Sequence, residues 1–138
     1  MRVLIIDAQG GGIGRQLAAA ARRHLPGAVV TAVGANTAAT SAMMKAGAHH
    51  AATGENAVVV ACRQADVILG PIGIVIADSL WGEITPKMAA AVGQSQAKRI
   101  LIPFNHCDNI IAGVPDAGAG ALIDAAIDAL LAIAGPSA

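Results

Sequence analysis

Short hydrophobic runs alternate with longer amphipathic segments along almost the whole chain. Continuous apolar runs are typical of strands buried on both faces of a parallel sheet, and apolar residues three or four positions apart are typical of helices. The order of these segments predicts an α/β fold, a three-layer sandwich around a parallel sheet of about five strands, with residues 1–138 forming one domain. The predicted strands are residues 3–7, 28–33, 49–52, 67–69 and 99–103, and the predicted helices are residues 13–24, 37–47, 85–93 and 122–133.

Three segments give weaker patterns. Residues 53–56 have the composition of a turn, and residues 110–114 predict an edge strand. Residues 57–61 are rich in valine, which favours a strand, but their flanks also permit a helix. The sequence does not decide between a strand and a helix at residues 57–61.

The amino-acid composition makes the predicted core aliphatic. Hydrophobic residues form 55% of the 138 positions, yet the chain holds one Trp, one Phe and no Tyr. Alanine supplies much of the hydrophobic content. Its small side chain lets helices and strands pack closely but contributes little apolar bulk to stabilise a single chain. We therefore expect further apolar surface, including the Met43–Met44 pair, to be buried in a homo-oligomer, most simply a dimer.

Charge and hydropathy narrow the classes of partner and location. The formal net charge is zero, whereas nucleic-acid binding usually needs a basic surface, so we expect no nucleic-acid partner. The longest apolar stretch, residues 66–80, is interrupted by Gly70, Pro71 and Gly73, which argues against a membrane span. The chain begins directly with a strand, and its two cysteines form no disulfide pattern. These features predict a cytoplasmic protein.

A run of glycines follows the first predicted strand, in the sequence Asp-Ala-Gln-Gly-Gly-Gly-Ile-Gly at residues 7–14. A loop without side chains lets a phosphate approach the main chain, and the first amides of the next helix have no partner within that helix. The helix dipole adds about half a positive charge there. We predict that Gly10, Gly11, Gly12, Ile13 and Gly14 bind the phosphate of NAD, NADP or another nucleotide.

The carboxyl ends of parallel strands meet at one edge of the sheet, where ligands bind in such folds. In this sequence those ends are residues 7–14, 34–37, 70–73 and 103–108, all rich in small or polar side chains. Asn36 and Thr37 stand where an acid would select a free ribose 2′-hydroxyl, so we expect no strong preference between NAD and NADP. The further predicted cofactor-binding residues are Gly34, Asn36, Thr37, Gly70, Pro71, Ile72 and Gly73.

Three polar side chains outside the glycine run are candidates for acid–base chemistry. Glu55 and Asn56 lie in the predicted turn, where Glu55 can serve as a general base or a ribose contact. Glu83 is a catalytic candidate as well, but its place before Thr85-Pro86 favours an acid that stabilises a helix N-terminus. Trp81 is either an interface anchor or a core residue.

The histidines and cysteines do not form a recognisable metal-binding motif. The groups at residues 49–50 and 106–108 have suitable side chains, yet neighbouring residues seldom all reach one ion, and neither C-x-x-C nor H-x-x-x-H occurs. Cys107 beside His106 is a weak nucleophile candidate because adjacency in sequence is not spatial pairing. We expect no metal.

The glycine loop is similar to that of short-chain dehydrogenases, T-G-x-x-x-G-x-G, whose ending Gly12, Ile13 and Gly14 match. The chain lacks the Tyr on which that family's chemistry depends. Nearly the whole chain resembles an uncharacterised family of short bacterial proteins described as a domain of unknown function, with Ala8 in place of an expected Gly. That resemblance implies a Rossmann-like nucleotide-binding fold and no particular activity. It rests on residues 7–14, 34–37, 52–57, 70–74, 82–86 and 102–103.

Two functions are compatible with these features. The short length and the absence of a clear acid–base pair favour a ligand-binding or regulatory module that holds a nucleotide. The alternative is a small NAD(P)-dependent oxidoreductase whose site, with Glu55, Asn56 or Glu83, is completed at a subunit interface.

Overall fold

The computed structural model describes residues 1–104 and 108–136, in which five strands alternate with five α-helices. A short 3-10 helix, Ile72–Val75, follows the fourth strand. The strands are β1 (Arg2–Asp7), β2 (Val29–Gly34), β3 (His50–Thr53), β4 (Val67–Pro71) and β5 (Lys98–Ile102). The helices are α1 (Gly12–His24), α2 (Thr37–Lys45), α3 (Glu55–Cys62), α4 (Pro86–Gln94) and α5 (Ala119–Ala134).

All strand pairs are parallel, and the strand order is β3-β2-β1-β4-β5. The chain moves outward from β1 to β3 and then returns to the other side of β1 for β4 and β5. Asp7, Gly34 and Thr53 lie in one register row at the carboxyl ends of β1, β2 and β3. The strand order reverses between β1 and β4, and the carboxyl ends of these two strands lie at the same edge of the sheet as these residues.

Alternate residues of β1 point to opposite faces of the sheet and divide the core in two. Val3 and Ile5 pack with α1, α2 and α5, whereas Leu4 and Ile6 pack with α3 and α4. Both faces are covered, which is why residues 3–7 of β1 and all of β4 are continuously buried. The prediction of a three-layer α/β sandwich with a Rossmann-like parallel sheet is confirmed.

Most predicted strands and helices agree with the structure, and two segments do not. The predicted turn at residues 53–56 is wrong because Gly54, with φ of 105°, links β3 directly to α3, which begins at Glu55. The predicted edge strand at residues 110–114 is also wrong. Gly113 has φ of 79°, and the Val114 amide donates to the Ile111 carbonyl at 3.2 Å, so the segment turns instead of extending.

The ambiguous valine-rich segment is part of α3. Its β-branched side chains favour strands, but Val58 and Cys62 lie one helical turn apart and are buried against the sheet. The burial of this stripe outweighs the modest intrinsic preference of valine for strands.

Candidate functional site

The loop between β1 and α1 lies at the point where the strand order reverses. In open parallel sheets, ligands bind at this switch point, outside the carboxyl ends of the strands. A cleft of about 280 Å³ is present there. Its walls combine the loop with the end of β4, with Leu80 before α4, with Phe104 after β5 and with Ala119, the first residue of α5. They consist of Asp7, Ala8, Gln9, Gly10, Gly11, Gly12, Ile13, Gln16, Pro71, Leu80, Phe104 and Ala119.

Asp7 is the buried anchor of this loop. Its carboxylate is 5% exposed and accepts hydrogen bonds from the Ala8 amide at 2.8 Å and from the Gly14 amide at 2.7 Å. The two donors stand at opposite ends of the loop, so one side chain fixes both. Burial raises the pKa of Asp7 above its usual 3.8; the bonds from Gly14 and Ala8 oppose that rise, and the charge of Glu83 adds to it.

Three amides of the loop remain open to a ligand. The Gly11 amide donates to the Ala8 carbonyl, and the Gly14 amide is taken by Asp7. Within residues 1–104 and 108–136, the amides of Gly10, Gly12 and Ile13 have no acceptor. Amides in this position at a helix N-terminus are suited to an anion.

The glycines of the loop serve two different purposes. A Cβ added to Gly10 or Gly12 would meet nothing within 4 Å, so the space above these residues is free. Gly11 has φ of 70°, and a Cβ there would lie 2.9 Å from the Cα of Ala39. A Cβ on Gly14 would lie 2.8 Å from the Cβ of Asp7. Gly11 and Gly14 are therefore needed for packing, whereas Gly10 and Gly12 leave room for a ligand.

Glu83 contacts the same loop from the segment that precedes α4. One carboxylate oxygen of Glu83 accepts a hydrogen bond from the main-chain amide of Gln9 at 3.1 Å. The same oxygen accepts another from the side-chain amide of Asn36 at 2.5 Å. The same Asn36 nitrogen lies 2.9 Å from the Gln9 carbonyl oxygen. We call these three residues the Glu83 clasp. The interpretation of Glu83 as a stabiliser of the α4 N-terminus is wrong, because its hydrogen bonds join the ends of β1 and β2.

The cap of α4 is formed by Thr85 instead. Its hydroxyl accepts from the Met88 amide at 3.1 Å, and Pro86 occupies the first turn. This start matches the prediction from Thr85-Pro86, and it leaves the Glu83 carboxylate free to reach the loop.

The segment between the 3-10 helix and α4 has an unusual backbone. Asp78, Leu80 and Trp81 all have positive φ, between 54° and 63°. The Ser79 hydroxyl donates to the Gly73 carbonyl, and the Asp78 amide donates to the Ile84 carbonyl at 2.7 Å. These bonds hold Leu80 in the wall of the cleft and leave Trp81 94% exposed, so Trp81 is not a core residue.

Five of the twelve predicted cofactor-binding residues line this cleft: Gly10, Gly11, Gly12, Ile13 and Pro71. The others lie around it and have structural contacts of their own. A Cβ on Gly34 would come within 2.5 Å of the Thr40 amide, and a Cβ on Gly70 would overlap the Ile6 carbonyl oxygen. Both glycines thus allow close packing at strand ends.

The remaining predicted residues lie at helix starts. Asn36 caps α2 by accepting from the Ala39 amide at 2.9 Å, and Thr37 is the exposed first residue of that helix. Ile72 and Gly73 belong to the 3-10 helix. Their contact with a ligand stays a prediction.

Glu55 and Asn56 occupy the first turn of α3. The Gly54 amide donates to the Gly34 carbonyl at 2.9 Å, so this turn adjoins the end of β2. Neither side chain is part of the cleft wall at the glycine loop. Their role at a ligand stays a prediction.

Two further candidates concern metal and thiol chemistry. Over the described ranges, no group of three or more His, Cys, Asp or Glu side chains is arranged to hold a metal ion. His106 and Cys107 lie outside the described residues. Burial raises the pKa of the Cys62 thiol to about 11, which keeps it protonated and unreactive at neutral pH.

Asp7, Leu80 and Phe104 are cleft residues that were not predicted as ligand contacts. Phe104 follows β5, within the strand-end segment that was expected to converge on this edge, so its position was recoverable from the sheet order. Nothing in the sequence marked Leu80 as a cleft residue, because the backbone conformation of its segment is what brings it to the cleft.

Comparisons with known proteins agree with the resemblance noted in the sequence. No curated protein and no solved structure matches the chain. Within the part of the chain that the structure describes, no helix combines the length and hydrophobicity that crossing a bilayer requires. The sequence profile of one family matches residues 2–134, and the chain therefore belongs to that family, the domain of unknown function DUF3842.

Proposed function

We propose that this protein binds a nucleotide or dinucleotide and holds its phosphate on the amides of Gly10, Gly12 and Ile13. The observation that carries this proposal is the set of three open amides at the N-terminus of α1, facing unobstructed space. Their place at the switch point of a Rossmann-like sheet supports it, since phosphates bind at this position in such folds.

The electrostatics of the cleft favour binding by the backbone. Among the described residues, its wall holds no Lys or Arg, and the Asp7 carboxylate is part of it. Each Asp7 oxygen already accepts an amide hydrogen, which offsets part of its charge. The affinity for phosphate therefore rests on hydrogen bonds and the α1 dipole, and we expect it to be moderate.

The side chains at the cleft support a ligand-binding or regulatory module. Asp7 holds the glycine loop, and Glu83 joins that loop to Asn36. Cys62, the thiol within the described ranges, is buried outside the cleft. The Asp7 and Glu83 carboxylates are thus engaged in maintaining the shape of the loop.

NAD and NADP remain candidate ligands, and we expect little discrimination between them. Asn36 and Thr37 follow β2 in place of the acid that favours a free 2′-hydroxyl. An affinity ratio above roughly 100, which corresponds to about 2.7 kcal/mol, would contradict this expectation.

Isothermal titration calorimetry of the purified protein against NAD, NADP, FAD and ATP tests the proposal. We expect at least one of these compounds to bind with a dissociation constant below about 1 mM, or about −4.1 kcal/mol. No heat of binding from any of the four at millimolar concentration would contradict the proposal for these ligands.

A further inference from the structure

We infer that the cleft takes a compact ligand with a single phosphate group, such as a nucleoside monophosphate, in preference to a dinucleotide. This inference rests on the proposed function and narrows its ligand class. The feature that carries it is the Glu83 clasp, which bridges the ends of β1 and β2.

A dinucleotide in a Rossmann-like site extends from the glycine loop toward the end of the second strand, where its adenosine ribose is held. In this protein that route is crossed by three hydrogen bonds among Glu83, Gln9 and Asn36. Both polar atoms of the Asn36 side chain are hydrogen-bonded. Its nitrogen donates to Glu83 and to the Gln9 carbonyl, and its oxygen caps α2. A ribose at the end of β2 therefore has to displace bonds that fix both the loop and the helix.

The Glu83 charge adds to this obstruction. The carboxylate is partly buried and lies close enough to Asp7 to raise the pKa of that group. A second phosphate placed between the loop and β2 would approach both carboxylates. Asp7 lines the cleft together with Gly10, Gly12 and Ile13, whereas Glu83 does not.

The free volume lies on the opposite side of the loop. The cleft of about 280 Å³ runs from the glycines toward Pro71, Leu80 and Phe104, and Asn36 and Glu83 are not part of its wall. Cavities for drug-sized ligands usually measure about 300–1,000 Å³. This volume suits a phosphate with one attached ring system.

Leu80 limits expansion of the cleft. Its backbone is held by the Ser79–Gly73 and Asp78–Ile84 hydrogen bonds, and a Cβ on Gly73 would lie 3.1 Å from the Leu80 Cγ. The contacts leave little space for Leu80 to withdraw. The wall opposite the glycine loop is thus held in place by its own hydrogen bonds and packing.

Calorimetric titration of the wild-type protein with AMP and with NAD, in the same buffer, tests the inference. We expect AMP to bind at least ten times more tightly than NAD. The Glu83→Ala variant removes the bridge, and we expect the AMP-to-NAD affinity ratio to fall below about threefold. Asp128→Ala, which removes an exposed carboxylate from α5, is the matched control and should keep the wild-type ratio.

The outcomes separate this inference from the proposed function. Wild-type protein that binds NAD as tightly as AMP, or more tightly, overturns the inference and leaves nucleotide binding intact. Absence of binding by AMP, NAD and inorganic phosphate at millimolar concentration overturns both. If Glu83→Ala does not fold, the AMP-to-NAD affinity ratio of the wild-type protein decides alone.

Discussion

Gly12 and Gly14 stand two residues apart in the first turn of α1, in opposite environments. A side chain on Gly12 projects into the free space of the cleft, whereas one on Gly14 meets Asp7 and Met43. We predict that Gly12→Val blocks the approach of a phosphate and weakens nucleotide binding at least tenfold. The free energy of unfolding should change by less than about 1 kcal/mol, because valine has no lower helix propensity than glycine. Calorimetry and urea unfolding measure the two effects.

Gly14→Ala is the matched control for that substitution. The added methyl group would lie 2.5 Å from the Met43 sulfur and 2.8 Å from the Asp7 Cβ, so we expect a loss of about 1–3 kcal/mol in stability. Equal losses of stability in both variants would show that Gly12 is a packing residue and would remove the reason to place a ligand above it.

Asp7 should make stability depend on pH in an unusual direction for a carboxylate. Its folded-state pKa is raised, so the folded protein holds this proton more tightly than the unfolded chain does. The resulting stabilisation is complete below the usual pKa of 3.8 and is lost as the pH rises through the folded-state pKa. Asp7→Asn cannot titrate, so the stability advantage of the wild type over this variant should shrink as the pH rises above 3.8.

Urea unfolding of both proteins across that pH range measures the difference directly. Asp128→Asn, at an exposed position of α5, serves as the control for general charge effects. An advantage of the wild type that grows as the pH rises would mean that the amides of Ala8 and Gly14 outweigh burial.

Sequence reasoning located the glycine loop but not the side chains that hold it. A glycine run after a strand is a local signal that can be recognised from eight consecutive residues. The Glu83 clasp joins positions 74 residues apart, and its partners depend on how the segment before α4 crosses the sheet edge. The sequence therefore identified Glu83 as a polar candidate but assigned it to the N-terminus of α4 instead of to the glycine loop.

At the scale of elements, Thr85 offers a direct test of how α4 begins. Its hydroxyl accepts a hydrogen bond from the Met88 amide, one of the four amides that a helix leaves unpaired at its start. We expect Thr85→Ala to lower the free energy of unfolding by about 1 kcal/mol in urea titrations. Thr37→Ala replaces an exposed threonine in the first turn of α2, after the cap, and should change stability by less than about 0.5 kcal/mol. Indistinguishable variants would contradict the assigned cap.

The alternation of elements was predictable because β1 and β4 contain continuous apolar runs and α1 presents an apolar stripe to the sheet. The failures occurred where backbone conformation decided the outcome. Gly54 and Gly113, both with positive φ, determine whether their neighbours enter a helix or turn back. A sequence shows that a glycine is present and does not show which conformation the surrounding packing selects.

At the scale of the whole molecule, we propose that the protein forms a homodimer. Trp81 and Ile110 are each 94% exposed, and Met44 is 48% exposed, whereas Met43, expected at the same interface, is buried in the core. Covering such side chains with a second copy of the chain would remove apolar surface from water, which favours association. Multi-angle light scattering at micromolar concentration should give about twice the chain mass of 13.6 kDa. A mass equal to one chain throughout a dilution series would contradict the dimer.

The measurement closest to the central claim is a nuclear magnetic resonance titration that follows individual backbone amides as AMP is added. If the glycine loop holds the phosphate, the amide signals of Gly10, Gly12 and Ile13 should shift most. Those of Gly11 and Gly14, which already donate to the Ala8 carbonyl and to Asp7, should shift less. Saturable shifts confined to residues away from this loop, or no shifts at millimolar AMP, would contradict binding by these amides.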